Sequence, residues 1–243
     1  MIHTSNHIKL HYRQFIGDPS YPTTLILHGW GASGDTMRVV FDELVTQNKS
    51  AVLLDLPPFG LSAPPPKDYD IHKYARLTKE FIIQLKLSHI NIIAHSFGAR
   101  ISLILASETH SEFTLEKLVL TGAAGLKPKR GLKYRLKVCA YKLKKILGLN
   151  TANAGSSDYQ ALPDYLKGVF VRVVNTHLDK LLPKINVPTL IIFGANDTDT
   201  PLYMAKRLHN GVKNSKLHIM QGCGHYAFLD DSITFNALIS AFL

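Results

Sequence analysis

Ser96 stands in a sequence context that favours a reactive serine. It follows the apolar run Ile90–Ala94, and the residues two before and two after it, Ala94 and Gly98, are small. Small residues at these positions permit a tight strand-to-helix turn, which lifts the serine hydroxyl above the sheet edge and over the amino end of the helix. We therefore predict that Ser96 is a nucleophile rather than a helix N-cap, another role that serine often has.

A serine hydroxyl is a weak nucleophile unless a base takes its proton, so a histidine and a supporting carboxylate are required. His225 lies in a glycine-flanked loop that follows an apolar run near the end of the chain. Asp197 follows the run Thr189–Phe193, and Asp199 beside it is an alternative acid. The order serine, aspartate, histidine is one that catalytic triads on α/β sheets use. We predict that His225 is the general base and that Asp197 orients its imidazole.

The glycine-rich turn His28–Gly34 follows another apolar run. Such a turn lets a backbone N–H point outward, and together with the N–H of Phe97 it can bind the oxyanion of a tetrahedral intermediate. We expect His28 to support this turn by hydrogen bonding and Asp55 to organise a loop. His95, next to the serine, is expected to point away from the site.

Around these residues, short apolar runs alternate with longer stretches of helical spacing. This alternation is typical of a mostly parallel sheet covered by helices on both faces. The expected strands are Thr24–Leu27, Ala51–Leu54, Ile90–Ala94, Lys117–Leu120, Thr189–Phe193 and Lys216–Met220, with Ile8–Phe15 as an antiparallel edge strand. The expected helices are Thr36–Gln47, Ile71–Leu87, Gly98–Ser107, Tyr203–Leu208 and Ser232–Phe242.

The interval from Ala123 to Pro183 breaks this rhythm and indicates an insertion, with a helix predicted near Leu162–Asn175. Nine basic and no acidic residues lie between Lys127 and Lys145, in a chain with 28 basic and 18 acidic residues in total. Leucines at helical spacing predict an amphipathic helix there. Its basic face is interpreted as solvated, or alternatively as attracting anionic substrates or an anionic membrane surface. We expect no nucleic-acid binding, since no aromatic stacking pattern accompanies the charge.

The composition is that of a folded globular chain. Hydrophobic residues make up 46% of the 243 residues, which excludes a disordered protein. No apolar run approaches the roughly 18–20 residues of a membrane-spanning helix, and Met1–Leu10 lacks the apolar region of a secretory signal. Cys139 and Cys223 have neither metal-site spacing nor the number for a disulfide framework. We expect a soluble cytoplasmic protein without a metal or organic cofactor.

Together these motifs resemble those of the α/β-hydrolase-fold serine hydrolases. The resemblance covers nearly the whole chain, in the segments His28–Gly31, Asp55–Ser62, Ala94–Gly98, Gly194–Pro201 and Gly222–His225. It implies a mostly parallel sheet of about eight strands flanked by helices. It also implies a small helical cap inserted after strand six, with 123–183 as the cap and 1–122 plus 184–243 as the core. Ala94 and Pro58 replace glycines that are more common in this family, and neither change removes a reacting group.

The resemblance also implies site roles. Ser96, His225 and Asp197 would form the triad, and the backbone N–H groups of Trp30 and Phe97 would bind the oxyanion. The Trp30 indole is a candidate for the wall of the substrate pocket. The expected reaction is cleavage of a small carboxylic ester or related acyl compound through an acyl-serine. Alternatives are carbon–carbon bond, lactone or amide hydrolysis with the same triad, or a non-enzymatic ligand receptor, and the oligomeric state stays open.

Overall fold

The computed structural model describes residues 1–5, 8–129 and 157–243 of the chain. Eight strands form one sheet in the order β1-β2-β4-β3-β5-β6-β7-β8. The pairs β1·β2 and β2·β4 are antiparallel, and all the other neighbouring pairs are parallel. The strands are β1 (Ile2–Ser5), β2 (Ile8–Phe15), β3 (Thr23–Leu27), β4 (Ala51–Leu54), β5 (His89–His95), β6 (Thr114–Thr121), β7 (Thr189–Gly194) and β8 (Ser215–Met220).

Helices connect the parallel strands and cover both faces of the sheet. The α-helices in the described ranges are α1 (Arg38–Thr46), α2 (Ile71–Gln84), α3 (Phe97–Ala106), α4 (Ser157–Ala161), α5 (Asp164–Asn175), α6 (Leu202–Gly211), α7 (Ala227–Asp230) and α8 (Ser232–Phe242). Two 3₁₀ helices span Gly34–Met37 and Asp179–Lys184. No helix in the described ranges is long and apolar enough to cross a membrane.

The central strands are apolar on both faces because each face is covered. Strands β4 and β7 are buried along their whole length, as expected for parallel strands between two helical layers. One core layer contains apolar residues of α2, α3, α5 and α6. The opposite layer contains apolar residues of α1 and α8, including Leu44 and Phe235. The two layers fix the carboxyl ends of β3, β5, β7 and β8, which is the edge where the predicted site residues lie.

The segment Ile8–Phe15 is a strand with the predicted bounds and antiparallel pairing, but it is not the edge of the sheet. Residues 2–5 pair with it as β1 and form the edge instead. This short segment was not predicted as a strand, because it is only four residues long and its side chains are mostly polar.

The insertion after the sixth strand is present, since α4 and α5 lie between β6 and β7. The exact division into a core and a cap remains a prediction. Most of the predicted basic helix falls within 130–156, outside the described residues. Of the basic segment Lys127–Lys145, only residues 127–129 are described, and these three have no regular secondary structure.

Candidate active site

Ser96 occupies a strained turn between β5 and α3. Its backbone has φ 47° and ψ −100°, a conformation that costs energy for any residue other than glycine. Gly98 makes this turn possible, because a side-chain carbon there would lie 2.6 Å from the carbonyl oxygen of Leu27. The Ser96 N–H donates to the carbonyl of Thr121 at 3.1 Å, which ties the turn to the end of β6. The predicted turn is therefore present, and Ser96 is partly exposed at the sheet edge.

Asp197 and His225 are joined directly. Nδ1 of His225 lies 2.9 Å from Oδ2 of Asp197, and the aspartate side chain is completely buried. Asp199, the alternative acid, is exposed and instead donates its backbone N–H to Oδ1 of Asp197 at 2.9 Å. The loops after β7 and β8 thus bring together two of the predicted residues that are 28 positions apart.

The charge of Asp197 is stabilised despite its burial. Burial alone would raise the pKa of this carboxyl, but hydrogen bonds from His225 and from the backbone and hydroxyl of Thr200 outweigh it. The pKa of Asp197 is consequently below its ordinary value. An ionised carboxylate can only accept, so the proton shared with His225 belongs to Nδ1 of the imidazole. That tautomer leaves Nε2 free to act as a base.

His225 and Ser96 both lie beside the segment that follows β6. A side-chain carbon at Gly122 would be 3.0 Å from Nδ1 of His225, and the N–H of Ala124 donates to the Ser96 carbonyl at 3.3 Å. Among the described contacts, the Ser96 hydroxyl makes no hydrogen bond to the imidazole. Hydrogen bonds between a nucleophile and its base are often absent or long before substrate binds, so this does not conflict with the predicted pairing of Ser96 and His225.

His95 does not point away from the site, contrary to the prediction. Its ring centroid is 4.6 Å from that of His225, and Nδ1 lies 3.2 Å from the carbonyl oxygen of Thr121. The alternation of side chains along β5 puts His95 on the face that the loop after β8 covers, and that loop carries His225. Burial, together with the nearby His225, lowers the pKa of His95 to about 3. His95 is thus a neutral neighbour of the predicted base.

The glycine-rich turn after β3 lies directly against the start of α3. The N–H of Gly98 donates to the His28 carbonyl at 3.0 Å, and a side-chain carbon at Gly29 would lie 3.4 Å from Cβ of Ser96. Phe97 is the first residue of α3, so its N–H has no partner within the helix. The Trp30 ring is 5.1 Å from the Phe97 ring. The turn that contains Trp30 and the first residue of α3 therefore pack together beside Ser96, and the roles of the Trp30 and Phe97 N–H groups stay a prediction.

His28 supports this turn by hydrogen bonding, as its sequence position predicted. Its Nδ1 lies 2.7 Å from the carbonyl oxygen of Gly29, and its Nε2 lies 2.8 Å from the N–H of Leu56. Because the backbone N–H of Leu56 can only donate, Nε2 of His28 accepts and its Nδ1 carries the proton. Burial is the main cause that lowers the pKa of His28 to about 4, so the ring is neutral at neutral pH and the two hydrogen bonds set its tautomer.

Asp55 organises the loop after β4. Its carboxylate accepts hydrogen bonds from the N–H of Gly34 at 2.7 Å and of Leu61 at 3.0 Å. Nδ1 of His11 lies 2.8 Å from the same carboxylate. Burial would raise the pKa of Asp55, but these donors outweigh it and lower the pKa. The loop 55–62 is thereby fixed next to the glycine-rich turn.

An aromatic cluster surrounds Trp30, and sequence reasoning identified only part of it. The Trp30 ring lies 5.0 Å from Phe59, 5.1 Å from Phe97 and 5.2 Å from Phe170 on α5. Within the described part of the chain, the indole N–H is buried and has no acceptor. Phe170 connects the inserted helix to the predicted oxyanion turn. Single aromatic residues on a helix give no signal of such a contact.

No group of three or more His, Cys, Asp or Glu side chains that could hold a metal ion occurs among the described residues. The arrangement described above can support nucleophilic chemistry. It combines a strained serine, an imidazole with a fixed tautomer and a buried carboxylate, beside the turn predicted to supply backbone donors.

Comparison with known proteins places this geometry in a family. Residues 22–138 match the family model of the α/β-hydrolase fold, and residues 171–243 match a model described as TAP-like protein. The chain is 28% identical over 272 residues to 2-hydroxy-6-oxononadienedioate/2-hydroxy-6-oxononatrienedioate hydrolase 2 of Pseudomonas putida, covering 97% of this chain and 92% of that protein.

A second relative is the pimeloyl-[acyl-carrier protein] methyl ester esterase of Neisseria meningitidis serogroup A. It is 29% identical over 249 residues, covering 90% of this chain and 75% of that protein. A solved structure, an esterase from Exiguobacterium antarcticum, superimposes with a TM-score of 0.79 at 22% identity, covering 99% of this chain and 98% of that one. The sheet order and the family matches lead to one conclusion: this chain belongs to the α/β-hydrolase family, and these relatives are hydrolases.

Proposed function

We propose that the protein is a serine hydrolase that cleaves carboxylic esters through an acyl-Ser96 intermediate. The observation that carries this proposal is the 2.9 Å contact between His225 and the buried Asp197, beside the strained turn at Ser96. Strain of this kind persists only where the surrounding structure holds it in place, and it is concentrated at functional sites. The similarity to a methyl ester esterase over 90% of the chain supports the choice of bond.

In the proposed reaction, the Ser96 oxygen attacks the ester carbonyl while Nε2 of His225 takes the hydroxyl proton. Asp197 stabilises the imidazolium that forms and keeps its proton on Nδ1. The backbone N–H groups of Trp30 and Phe97 bind the negative oxygen of the tetrahedral intermediate, and each such donor is typically worth about 10²–10³ in rate. His225 then protonates the leaving alcohol. It next activates a water molecule, which hydrolyses the acyl-serine and regenerates the free hydroxyl.

The first step requires the Ser96 hydroxyl to donate a hydrogen bond to Nε2 of His225. The serine side chain must rotate so that the hydroxyl reaches Nε2, because no hydrogen bond joins the two groups among the described contacts. Rotation about χ1 is an inexpensive change between staggered conformers. The backbone of the turn is already held by Thr121 and Ala124, so the rotation does not require a change in the fold.

Hydrolysis of a carbon–carbon bond is a second candidate. The observation in its favour is the 28% identity to a hydrolase named for dienedioate and trienedioate compounds, over 97% of this chain. The same serine, histidine and aspartate would serve either reaction, since fold-level similarity does not determine the substrate. The residues that line the substrate pocket decide between the two reactions. The aromatic cluster around Trp30 lies next to Ser96 and is a candidate for this lining.

The test compares purified wild-type protein with Ser96→Ala on p-nitrophenyl esters of different acyl lengths and on a vinylogous 1,5-diketone. We expect Ser96→Ala to lower turnover of the preferred ester by at least about 10⁴-fold. Ser111→Ala, which changes an exposed serine, serves as the matched control and should keep full activity. A well-folded Ser96→Ala protein with wild-type turnover would exclude the proposed nucleophile.

A fluorophosphonate probe adds a readout that does not depend on the substrate. The probe labels a serine only where a neighbouring base activates the hydroxyl. We expect labelling of the wild type and of Ser111→Ala, and none of Ser96→Ala. Turnover of the diketone together with weak ester turnover would favour the carbon–carbon reaction. An unlabelled, inactive but folded wild type would favour a binding protein.

A further inference from the structure

Thr200 lies between the two residues of the proposed acid–base pair. Its hydroxyl oxygen is 2.7 Å from Oδ2 of Asp197 and 3.3 Å from Nδ1 of His225. These two atoms are also 2.9 Å from each other, so the three atoms form a closed triangle. Thr200 is buried, with 5% of its surface exposed. The sequence motifs gave no reason to select this residue.

We infer that Thr200 is a positioning residue that holds the His225 imidazole and the Asp197 carboxylate in the geometry needed for proton transfer. This inference rests on the proposed function, because it assigns a role toward the same base.

The donors and acceptors of the triangle can be assigned without ambiguity. The Asp197 carboxylate only accepts, so the Thr200 hydroxyl donates its single hydrogen to Oδ2. The oxygen of that hydroxyl keeps lone pairs, and one of them faces Nδ1 of His225. The N–H at Nδ1 is then shared between the carboxylate and the hydroxyl. Because both acceptors require a hydrogen on Nδ1, Thr200 favours the tautomer in which Nε2 is free to take the serine proton.

The backbone of Thr200 fixes the other carboxylate oxygen. Its N–H donates to Oδ1 of Asp197 at 2.8 Å, next to the donation from the N–H of Asp199. Thr200 therefore contacts both oxygens of the carboxylate, one through the main chain and one through the side chain. A carboxylate held at both oxygens cannot rotate, so the direction of its hydrogen bond to His225 is fixed.

Two further rings also face the imidazole, but they do not fix its direction. The neutral ring of His95 packs 4.6 Å away at the end of β5. The ring of Tyr226, from the same loop as His225, lies 5.4 Å away. These are ring contacts, which restrict the imidazole without orienting its proton. Among the described residues, Asp197 and Thr200 supply the hydrogen-bonding contacts at Nδ1.

The test uses Thr200→Val, which removes the hydroxyl at nearly constant shape, and Thr200→Ser, which keeps it. With the ester that the wild type turns over best, we expect Thr200→Val to lower kcat about tenfold, the loss typical of one hydrogen bond to a charged group, with KM within about twofold of wild type. Thr200→Ser should retain kcat within about threefold of wild type. A structural role alone would lower the amount of folded protein and leave kcat per folded molecule unchanged.

Proton NMR supplies a second readout that needs no substrate. The Nδ1–H of a histidine bonded to a carboxylate resonates far downfield, and we expect this signal to shift in Thr200→Val but not in Thr200→Ser. Failure of the proposed function is recognised separately, because the wild type and Ser96→Ala would then turn over the esters equally or not at all. The NMR comparison would still decide the role of Thr200. If Thr200→Val does not fold, Thr200→Ala takes its place. A folded variant without the hydroxyl that has wild-type kcat, or an unshifted resonance, would overturn the inference.

Discussion

The ring of His95 packs against the ring of His225, with 4.6 Å between the two centroids. Two protonated imidazoles at this distance would repel each other by about 4 kcal/mol at an effective dielectric constant of about 20. The proposed reaction, in which His225 takes the serine proton, therefore requires His95 to stay neutral. Its burial ensures this, because it lowers the pKa of His95 to about 3.

The first prediction concerns stability against acid. The pKa values of His28 and His95 are lowered from 6.5 to about 4 and about 3, so between these values and 6.5 the unfolded chain binds more protons than the folded one. Stability should consequently fall as the pH falls from about 6.5 to about 4, on the order of 3 kcal/mol for each histidine. The lowered carboxyl pKa values of Asp55 and Asp197 add losses only at lower pH, below the ordinary value of 3.8.

Urea unfolding at pH 7.5, 6.0 and 5.0 measures this dependence. His95→Phe keeps a ring of similar size and removes one of the two groups, so its stability should fall about half as steeply over this range. If the free energy of unfolding falls equally steeply with pH in wild type and in His95→Phe, His95 is not a source of the pH dependence.

The second prediction separates the two neighbouring aspartates. Asp197→Asn should lower kcat by about 10³–10⁴, because an amide at this position can donate to Nδ1 and so favours the tautomer that lacks a free Nε2. Asp199→Asn changes an exposed side chain and keeps the backbone N–H that donates to Asp197. It should retain wild-type kcat. Steady-state kinetics on one ester measures both variants. A larger loss of kcat in Asp199→Asn than in Asp197→Asn would make Asp199, and not Asp197, the acid that orients His225.

Much of the fold could be predicted because the parallel strands have strong local signals. Strand β4 and helix α8 have the predicted bounds, and most other elements differ by one to three residues at their ends. The predicted helix Thr36–Gln47 is divided into a 3₁₀ helix and α1. Strand β1 was missed because its pairing with β2 depends on a contact rather than on an apolar pattern.

The candidate site was predictable where a residue type and a strand end coincide. Ser96, Asp197 and His225 each follow a strand, and parallel strands present their carboxyl ends at one edge. Thr200 and Phe170 were missed because their roles depend on contacts between loops and the inserted helix. His95 was placed wrongly because its sequence position does not reveal that a loop carrying His225 covers that face of β5.

The third prediction tests the tight turn at the start of α3. In Gly98→Ala, the added carbon would lie 2.6 Å from the Leu27 carbonyl oxygen and 2.9 Å from that of His28. Backbone atoms cannot yield as a flexible side chain can, so we expect a loss of about 2 kcal/mol or more in stability and a fall in kcat. Gly168→Ala is the matched control on α5, where the nearest atoms belong to the Arg172 side chain at 3.5 Å. It should be neutral or stabilising by up to about 1 kcal/mol, and equal effects of the two changes would contradict this account of the turn.

The fourth prediction concerns Arg100, which joins α3 to the inserted helix. Its Nη1 donates to the carbonyls of Val173 at 3.0 Å and Thr176 at 2.9 Å, where α5 ends. Burial lowers the pKa of Arg100 to about 10, so the guanidinium is still charged at neutral pH. The cation faces the negative end of the α5 dipole, which favours the charge that burial opposes.

Arg100→Met should destabilise the protein by about 2 kcal/mol, because two carbonyls at the end of α5 lose a charged donor inside the protein. Arg38→Met is the matched control, since the Arg38 side chain is 60% exposed and, within the described part of the chain, pairs only with the exposed Asp42. An exposed pair of this kind is worth at most about 0.5 kcal/mol. Urea unfolding at pH 7.5 measures both variants. If the two midpoints fall equally, the charged contacts to Val173 and Thr176 contribute no more than a surface pair, and α5 must be held by its apolar face alone.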